Sequence, residues 1–176
     1  NIQNYKIGFD PKLFTKRILN LYFEDNANLM PVKYNFNNKT LDQVNKIYRL
    51  NNSVTGEDVI SKINKVKKYM KKNKINYLYS SASENVNWLL NIRGKDLPNS
   101  PLINCKIIIP ERGKLYLFVN SNKLTKSIKN YFKNIILFRE NSLFETIFDL
   151  KKGTFCIDKN TCSIYEQQII NSKFKI

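Results

Sequence analysis

The sequence predicts an α/β fold in which a mixed β-sheet is covered by helices on both faces. From residue 76 onward, short runs rich in β-branched and aromatic residues alternate with longer segments whose apolar residues recur at helical spacing. Two strand-like runs flank residues 111–113, where Gly113 favours a hairpin turn and therefore an antiparallel pair. With 176 residues the chain is long enough to bury a substantial core.

The first 49 residues predict a separate, incomplete unit. Alternating residues predict a strand at 5–9. Asp10 and Pro11 are typical of an N-cap and a first helical position, so a helix is expected from residue 11 to about 25. Its expected buried stripe comprises Leu13, Phe14, Ile18, Leu21 and Tyr22. The remaining elements are a strand at 29–35 and a short helix at 40–48. Because so few elements cannot complete a sheet, we expect further chain upstream of this unit.

Residues 50–176 predict a second domain, which begins with a polar, aperiodic linker at 50–54. A long helix is expected from Thr55, with Thr55 and Asp58 placed as a capping box. Its apolar stripe consists of Val59, Ile63, Val66 and Met70. Its solvated faces are expected to carry Lys62, Lys65, Lys68, Lys71 and Lys72.

A second capping box, formed by Ser81 and Glu84, predicts a helix that continues through Ile92. The other expected strands lie at 76–81, 103–110, 114–120, 134–138 and 154–158, with a last one beginning at 173. The other expected helices lie at 123–133, 142–150 and 161–170.

The composition argues against independent catalysis. A chain without histidine offers no Ser-His-Asp triad, no imidazole general base and no histidine ligand for zinc. The 14 acidic residues are scattered, and no close pair flanks a recognisable cleft motif. We therefore assign no catalytic residue and no metal ligand to this chain.

The cysteines and the apolar runs bear on the compartment. Cys105, Cys156 and Cys162 are odd in number and too far apart for a CxxC motif, a pattern that indicates a reducing environment. No apolar run approaches the roughly 20 residues of a membrane-spanning helix, and the first residues lack the layout of a signal peptide. We expect a cytoplasmic protein with no membrane partner.

The charge balance, 30 basic residues against 14 acidic, permits a nucleic-acid interpretation. Most of the basic residues are lysine, however, which gives a point charge instead of the bidentate fork that reads phosphates and guanine edges. Asparagine and isoleucine are also abundant, as is typical of an AT-rich genome. We therefore expect no nucleic-acid partner, and keep a basic nucleic-acid binder as the weaker alternative.

The segment SASENVNWLLNIRGKDLPNSP, residues 81–101, predicts a capped helix that ends in Arg-Gly and leads into a loop fixed by two prolines. It resembles the corresponding segment of the Xaa-Pro aminopeptidase family, in its long three-domain form. The matching positions are Glu84, Trp88, Leu89, Leu90, Asn91, Arg93, Gly94, Asp96, Pro98 and Pro101. The departures are Ser83, Asn87 and Lys95, where that family usually carries Asp, Ala and Ser. Weaker similarities at IGFDP, LMPVKYN and TFCIDKNTCSIY extend the resemblance along most of the chain.

The resemblance implies a creatinase/prolidase N-terminal domain fold of the ribonuclease H-like type. Residues 1–49 would be the C-terminal part of a first such domain and residues 50–176 a second one. The family removes the N-terminal residue from peptides with proline second, using two divalent ions, usually manganese, in a C-terminal pita-bread domain. That catalytic domain is absent from this sequence, so the chain alone is expected to be inactive.

The resemblance also implies partners: the catalytic domain of the same polypeptide, the peptide substrate, and a second copy in a homodimer. A creatinase or Xaa-Pro dipeptidase relative has a related N-terminal domain and remains an alternative. A free-standing binding module that has lost its catalytic half is another.

Three residues are assigned to a substrate-access rim: Trp88, Arg93 and Asp96. Arg93 follows a helix anchored by Val86 and Leu89, and its guanidinium could contact a carboxylate of the peptide or of a neighbouring domain. Alternatively, Arg93 and Asp96 tie the loop together. Trp88 is expected in the core, with a substrate-facing position as the alternative.

Overall fold

The computed structural model describes residues 5–23, 27–33 and 45–176. The strands are β1 (Lys6–Phe9), β2 (Asn28–Pro31), β3 (Tyr48–Arg49), β4 (Tyr77–Ser80), β5 (Ile92–Arg93), β6 (Cys105–Pro110), β7 (Leu115–Val119), β8 (Ile135–Phe138) and β9 (Phe155–Ile157). The helices are α1 (Lys16–Tyr22), α2 (Asn52–Thr55), α3 (Val59–Lys72), α4 (Ser83–Leu89), α5 (Lys126–Tyr131), α6 (Leu143–Asp149) and α7 (Ile164–Asn171), with a 3₁₀ turn at Ser121–Lys123.

Five strands form the central sheet in the order β8-β7-β6-β4-β9. Strand β6 runs antiparallel to both neighbours, β4 and β7, whereas β7 pairs parallel with β8 and β4 pairs parallel with β9. The β6–β7 hairpin turns at Gly113, whose φ of 93° favours glycine. The mixed sheet and its hairpin are confirmed.

Helices cover both faces of this sheet, as expected. Side chains of α3, α4 and α5 bury one face together with Ile107 and Ile109, and side chains of α6 and α7 bury the other together with Ile108. Consecutive isoleucines of β6 thus enter opposite cores, because successive side chains of a strand point to opposite faces. Burial on both faces explains why β6 is a continuous apolar run instead of an alternating one.

The first part of the chain forms a smaller unit in which β1 and β2 pair in parallel around α1. Backbone hydrogen bonds of 2.9 Å join it to the start of α7, from the amides of Ile164 and Tyr165 to the carbonyls of Phe14 and Pro11. The predicted strand at 29–35 is observed at Asn28–Pro31, while residues 34 and 35 lie outside the described residues.

The first predicted helix begins later than expected. Thr15 is its N-cap, with its hydroxyl accepting from the amide of Ile18, whereas Asp10 instead accepts from the amide of Lys12 in a preceding turn. The expected buried stripe is also wrong in large part, because Leu13, Ile18, Leu21 and Tyr22 are exposed and Leu19 is the buried residue of this helix.

Both predicted capping boxes are wrong. Asp58 is itself the N-cap of α3, accepting from the amide of Ser61, and Thr55 is the last residue of the short helix α2, which overlaps the predicted linker at residues 52–54. Helix α4 begins at Ser83 without a side-chain cap, because its N-cap is Ala82, and the hydroxyl of Ser81 is buried without a hydrogen-bond partner among the described residues.

Two short strands replace predicted helical residues. The helix predicted through Ile92 ends at Leu89, after which Ile92 and Arg93 form β5 and pair with β3. Tyr48, predicted to end a helix, lies in β3, and residues 40–44 of that helix fall outside the described residues. The last predicted strand is not observed in residues 173–176, where Phe174 instead packs on Tyr77 and Phe155.

Candidate functional site: the exposed edge at helix α4

The rim segment consists of α4, β5 and the loop at 94–104, and it packs on the core through the buried side chains of α4 and of the residue after it. Val86, Leu89 and Leu90 are buried against the sheet. Asn91 follows with a φ of 51°, a left-handed conformation that turns the chain sharply into β5. A short helix with one apolar stripe is thereby held in a single orientation.

Trp88 does not enter the core. Its side chain is 54% exposed, and its ring stands on the solvent side of α4. The expectation of a core tryptophan is therefore wrong: the buried positions of α4 are taken by Val86, Asn87 and Leu89.

Lys62 lies beneath this indole. Its Nζ is 4.1 Å from the ring centroid of Trp88, and the residue is only 2% exposed. The prediction of a solvated Lys62 is wrong, although one sequence signal points to burial: Lys62 is three residues after Val59 and four before Val66, on the apolar side of α3.

Arg93 caps the end of α4. Its Nη1 donates to the carbonyl of Asn87 at 3.2 Å and to the carbonyl of Ile92 at 2.7 Å. A cation near the C-terminal carbonyls of a helix complements both the unpaired acceptors and the helix dipole. The residue is half-buried, so its position is fixed while part of it remains accessible.

Asp96 forms an ion pair with Lys123. Its Oδ2 lies 2.6 Å from Nζ of Lys123 and accepts from the amide of Asn104 at 2.8 Å. Both side chains of the ion pair are largely buried, at 5% and 13% exposure. Within the described residues no hydrogen bond or ion pair joins Arg93 to Asp96, so each residue anchors a different end of the loop.

A mostly apolar groove of about 230 Å³ runs beside Trp88. It is lined by residues of α3, α4 and the sheet, including Val66, Leu78, Trp88 and Ile109. An exposed aromatic ring next to such a groove is a typical contact surface for another apolar group.

A second buried polar cluster surrounds Glu166, which the sequence analysis did not single out. Its Oε1 accepts from the hydroxyl of Tyr79 at 2.8 Å and from Nζ of Lys106 at 2.5 Å, and its Oε2 accepts from the hydroxyl and amide of Ser163. The signal was available, because Ser163 and Glu166 have the spacing of a capping box.

Burial opposes ionisation of Glu166, but the charge of Lys106 and the hydrogen bonds from Lys106, Tyr79 and Ser163 outweigh it and lower the pKa of the carboxyl. Burial and the adjacent carboxylate raise the pKa of Tyr79 well above its usual value. The Glu166 carboxylate is therefore held inside the fold in its ionised form, paired with the ammonium of Lys106.

The thiols of Cys105 and Cys162 are not activated as nucleophiles, and the described residues offer no cluster of metal ligands. The three cysteines are free thiols, and burial raises the pKa of both Cys105 and Cys162 to about 12. Across residues 5–23, 27–33 and 45–176, no group of three or more His, Cys, Asp or Glu side chains could hold a metal ion. The helices of the same ranges include none long and apolar enough to cross a membrane.

Comparison with known proteins places the fold in a family. The model of the creatinase/prolidase N-terminal domain matches residues 38–176, which is most of the chain. The chain belongs to the creatinase/prolidase N-terminal domain family. Its resemblance to the N-terminal region of Xaa-Pro aminopeptidases is thereby confirmed, and so is its α/β fold class.

Several curated relatives of this creatinase/prolidase N-terminal domain are named as aminopeptidases. Xaa-Pro aminopeptidase 1 of Dictyostelium discoideum is 25% identical over 158 residues, covering 80% of this chain and 25% of the relative. Aminopeptidase P2 of Arabidopsis thaliana is 32% identical over 79 residues, covering 45% of this chain and 11% of the relative. The chain thus spans a quarter or less of the length of these relatives.

Solved structures share the fold of this creatinase/prolidase N-terminal domain. The X-prolyl aminopeptidase of Caenorhabditis elegans, described as a cytosolic enzyme with a di-nuclear active site, superposes with a TM-score of 0.79 at 21% identity. That match covers 94% of this chain and 30% of the enzyme. The N-terminal domain of a putative metallopeptidase from Corynebacterium diphtheriae matches with a TM-score of 0.50 at 9% identity, over 66% of this chain and 89% of that domain.

Proposed function

We propose that this chain is the non-catalytic N-terminal region of a metal-dependent Xaa-Pro aminopeptidase, where it shapes access to the active site. The observation that carries the proposal is the rim segment: the residues that resemble that family most closely build a rigid edge from which Trp88 projects. Rigid elements that present an exposed aromatic ring are suited to frame a neighbouring site.

The chemistry would reside outside this chain. The described residues hold no cluster of metal ligands, and the whole sequence has no histidine, so no metal ion is assigned to them. The di-nuclear centre described for the C. elegans enzyme supports two divalent ions, manganese in our proposal, in a catalytic domain of the same polypeptide. Such ions would activate water and polarise the scissile carbonyl.

Within the chain, residues 1–49 are proposed to be the end of a first creatinase-like domain and residues 50–176 a second domain. The exposed apolar side chains of α1 support the first part, because a two-stranded parallel sheet with one helix cannot bury them. Ile47 is buried in the larger core and β3 pairs with β5, so the last residues of the first part pack on the second.

The geometry supports the proposed rim roles. Trp88 would form a wall of the entrance, and Arg93, half-buried with two backbone partners, would present its remaining donors to a carboxylate of the peptide or of the catalytic domain. Asp96 would fix the loop through Lys123. A homodimer in the cytoplasm completes the proposal; the cytosolic description of the C. elegans enzyme supports the compartment.

The test compares two proteins: residues 1–176 alone, and the complete product of the reading frame that encodes them. We expect the complete product to release the first residue of an Arg-Pro-Pro peptide when manganese is supplied, and residues 1–176 to release none. An Arg-Ala-Ala peptide is the matched substrate control. Hydrolysis by residues 1–176 alone, or a reading frame that encodes no further metal ligands, contradicts the proposal.

A further inference from the structure

The C-terminal end of α4 is held by a lysine that is inside the protein. Lys62 Nζ donates to the carbonyl of Trp88 at 2.8 Å and to Oδ1 of Asn91 at 2.7 Å, and it lies under the Trp88 ring. Asn91 in turn donates from Nδ2 to the carbonyl of Glu57 at 2.8 Å, which connects the residues just before α3 to the turn after α4. The ammonium of Lys62 therefore connects α3 to the end of α4, to the turn at Asn91 and to the indole of Trp88.

This lysine has no carboxylate partner among the described residues. The carboxylate of Glu57 is instead engaged by Lys65 at 2.8 Å and by the hydroxyl of Ser61 at 2.6 Å. Burial lowers the pKa of Lys62, with the nearby Arg93 acting in the same direction and Glu57 opposing it. The described part of the fold thus holds a buried charge without an opposite charge bound to it, and such departures from the usual burial of lysine are expected at functional sites.

Two of the three contacts made by Lys62 involve Trp88 itself, and the third holds the turn at Asn91 that follows it. The backbone bond holds the last turn of α4, and the ammonium beneath the ring favours one orientation of the indole, since a cation is attracted to the face of an aromatic ring. Trp88 is 54% exposed among the described residues, so much of its side chain has no covering layer in this part of the chain. Without Lys62 the ring would be free to adopt other rotamers.

We propose that Lys62 is a positioning residue for the rim: its buried ammonium holds the end of α4 and the indole of Trp88 in one fixed geometry. The reason given for fixing the indole rests on the proposed function, because only a fixed ring can act as a rigid wall of the entrance. The structural content of the inference is independent of that function and can be tested on residues 1–176. An indole fixed in advance loses less conformational freedom when another group docks on it.

Trp88 is the only tryptophan of the chain, so its indole N–H gives one resonance in a ¹⁵N-correlated spectrum. In the wild-type protein we expect the heteronuclear NOE of this N–H to equal that of core backbone amides. In Lys62→Met we expect the resonance to move and its NOE to fall, while Lys62→Arg, which keeps a cation, restores most of the wild-type value. Lys68→Met, at an exposed lysine of the same helix, is the matched control and leaves the indole unchanged.

A mobile indole in the wild-type protein overturns the proposal, and this measurement needs no variant to fold. An unchanged indole in a folded Lys62→Met also overturns it. In the complete reading-frame product, we expect Lys62→Met to raise KM about fivefold with little change in kcat, as for loss of uniform substrate binding. If the complete product does not cleave Xaa-Pro peptides, the proposed function fails, whereas the NMR result still decides the role of Lys62.

Discussion

The side-chain amide of Asn87 pairs with both backbone polar groups of Ile103: Nδ2 donates to the carbonyl at 2.8 Å, and Oδ1 accepts from the amide at 3.1 Å. Asn87 is fully buried and also donates to the carbonyl of Ser83 at 2.7 Å. It stands where the resembled family usually carries alanine. The substitution is accommodated because every polar atom of the buried amide has a partner.

Asn87→Ala should destabilise the protein by about 2–4 kcal/mol, because it leaves the buried amide and carbonyl of Ile103 without partners, at about 1–3 kcal/mol for each unsatisfied group. Urea unfolding followed by circular dichroism measures the change. Asn85→Ala, at an exposed position of the same helix, should stay within about 0.5 kcal/mol of the wild type. Equal midpoints for the two variants would show that the Asn87 pair contributes nothing.

Gly94→Ala should also destabilise the protein. A Cβ at this buried position would lie 1.9 Å from Cδ1 and 2.3 Å from Cγ1 of Ile103, so side chain or backbone must move, at a typical cost of about 1–3 kcal/mol. Shortening the Ile103 side chain is the control, because it removes the clash. In an Ile103→Ala background most of the destabilisation by Gly94→Ala should disappear. If the two substitutions are additive in urea unfolding, the close approach of Gly94 to Ile103 is not the cause.

The sequence predicts the central sheet well because each of its strands is an apolar run bounded by turn residues. Strands predicted at 103–110 and 114–120 are observed at Cys105–Pro110 and Leu115–Val119. Strands of two residues are a different case. Tyr48–Arg49 and Ile92–Arg93 pair although they are far apart in the sequence, and nothing in their local pattern distinguishes them from the ends of the predicted helices.

The candidate site could be predicted only in part. The sequence predicts a rim position for Arg93 because it follows an anchored apolar helix, but its bonds to the carbonyls of Asn87 and Ile92 depend on the turn at Asn91. The burial of Lys62 depends on contacts with Trp88 and Asn91, which follow it by 26 and 29 positions in the sequence. The exposure of Trp88 contradicts the usual burial of a large apolar ring, and residue-type preferences could not reveal it.

Glu166 should make stability depend on pH. Its folded-state pKa is lowered from 4.5, so its ionised contacts stabilise the fold above that pH, and the contribution is lost as the pH falls through the lower folded value. The groups that face it are Lys106, Tyr79, Ser163 and Cys162. We expect the difference in unfolding free energy between the wild type and Glu166→Gln to be largest near neutral pH and to shrink steadily below 4.5.

Urea unfolding at a series of pH values measures this difference. Glu145→Gln, at an exposed glutamate of α6, is the matched control and should differ little from the wild type at any pH. A Glu166→Gln difference that does not change between neutral pH and strongly acidic conditions would contradict an ionised Glu166 in the folded state.

Asp96 and Lys123 should be strongly coupled. Their ion pair of 2.6 Å is largely buried, and removal of one partner leaves the other charge inside the protein, which typically costs about 3–5 kcal/mol. We therefore expect Asp96→Ala and Lys123→Ala to be destabilising singly, and the double variant to cost clearly less than their sum. The double-mutant cycle in urea gives the coupling energy directly. A coupling near zero would remove Lys123 as the anchor of the loop and leave Asp96 available for the rim.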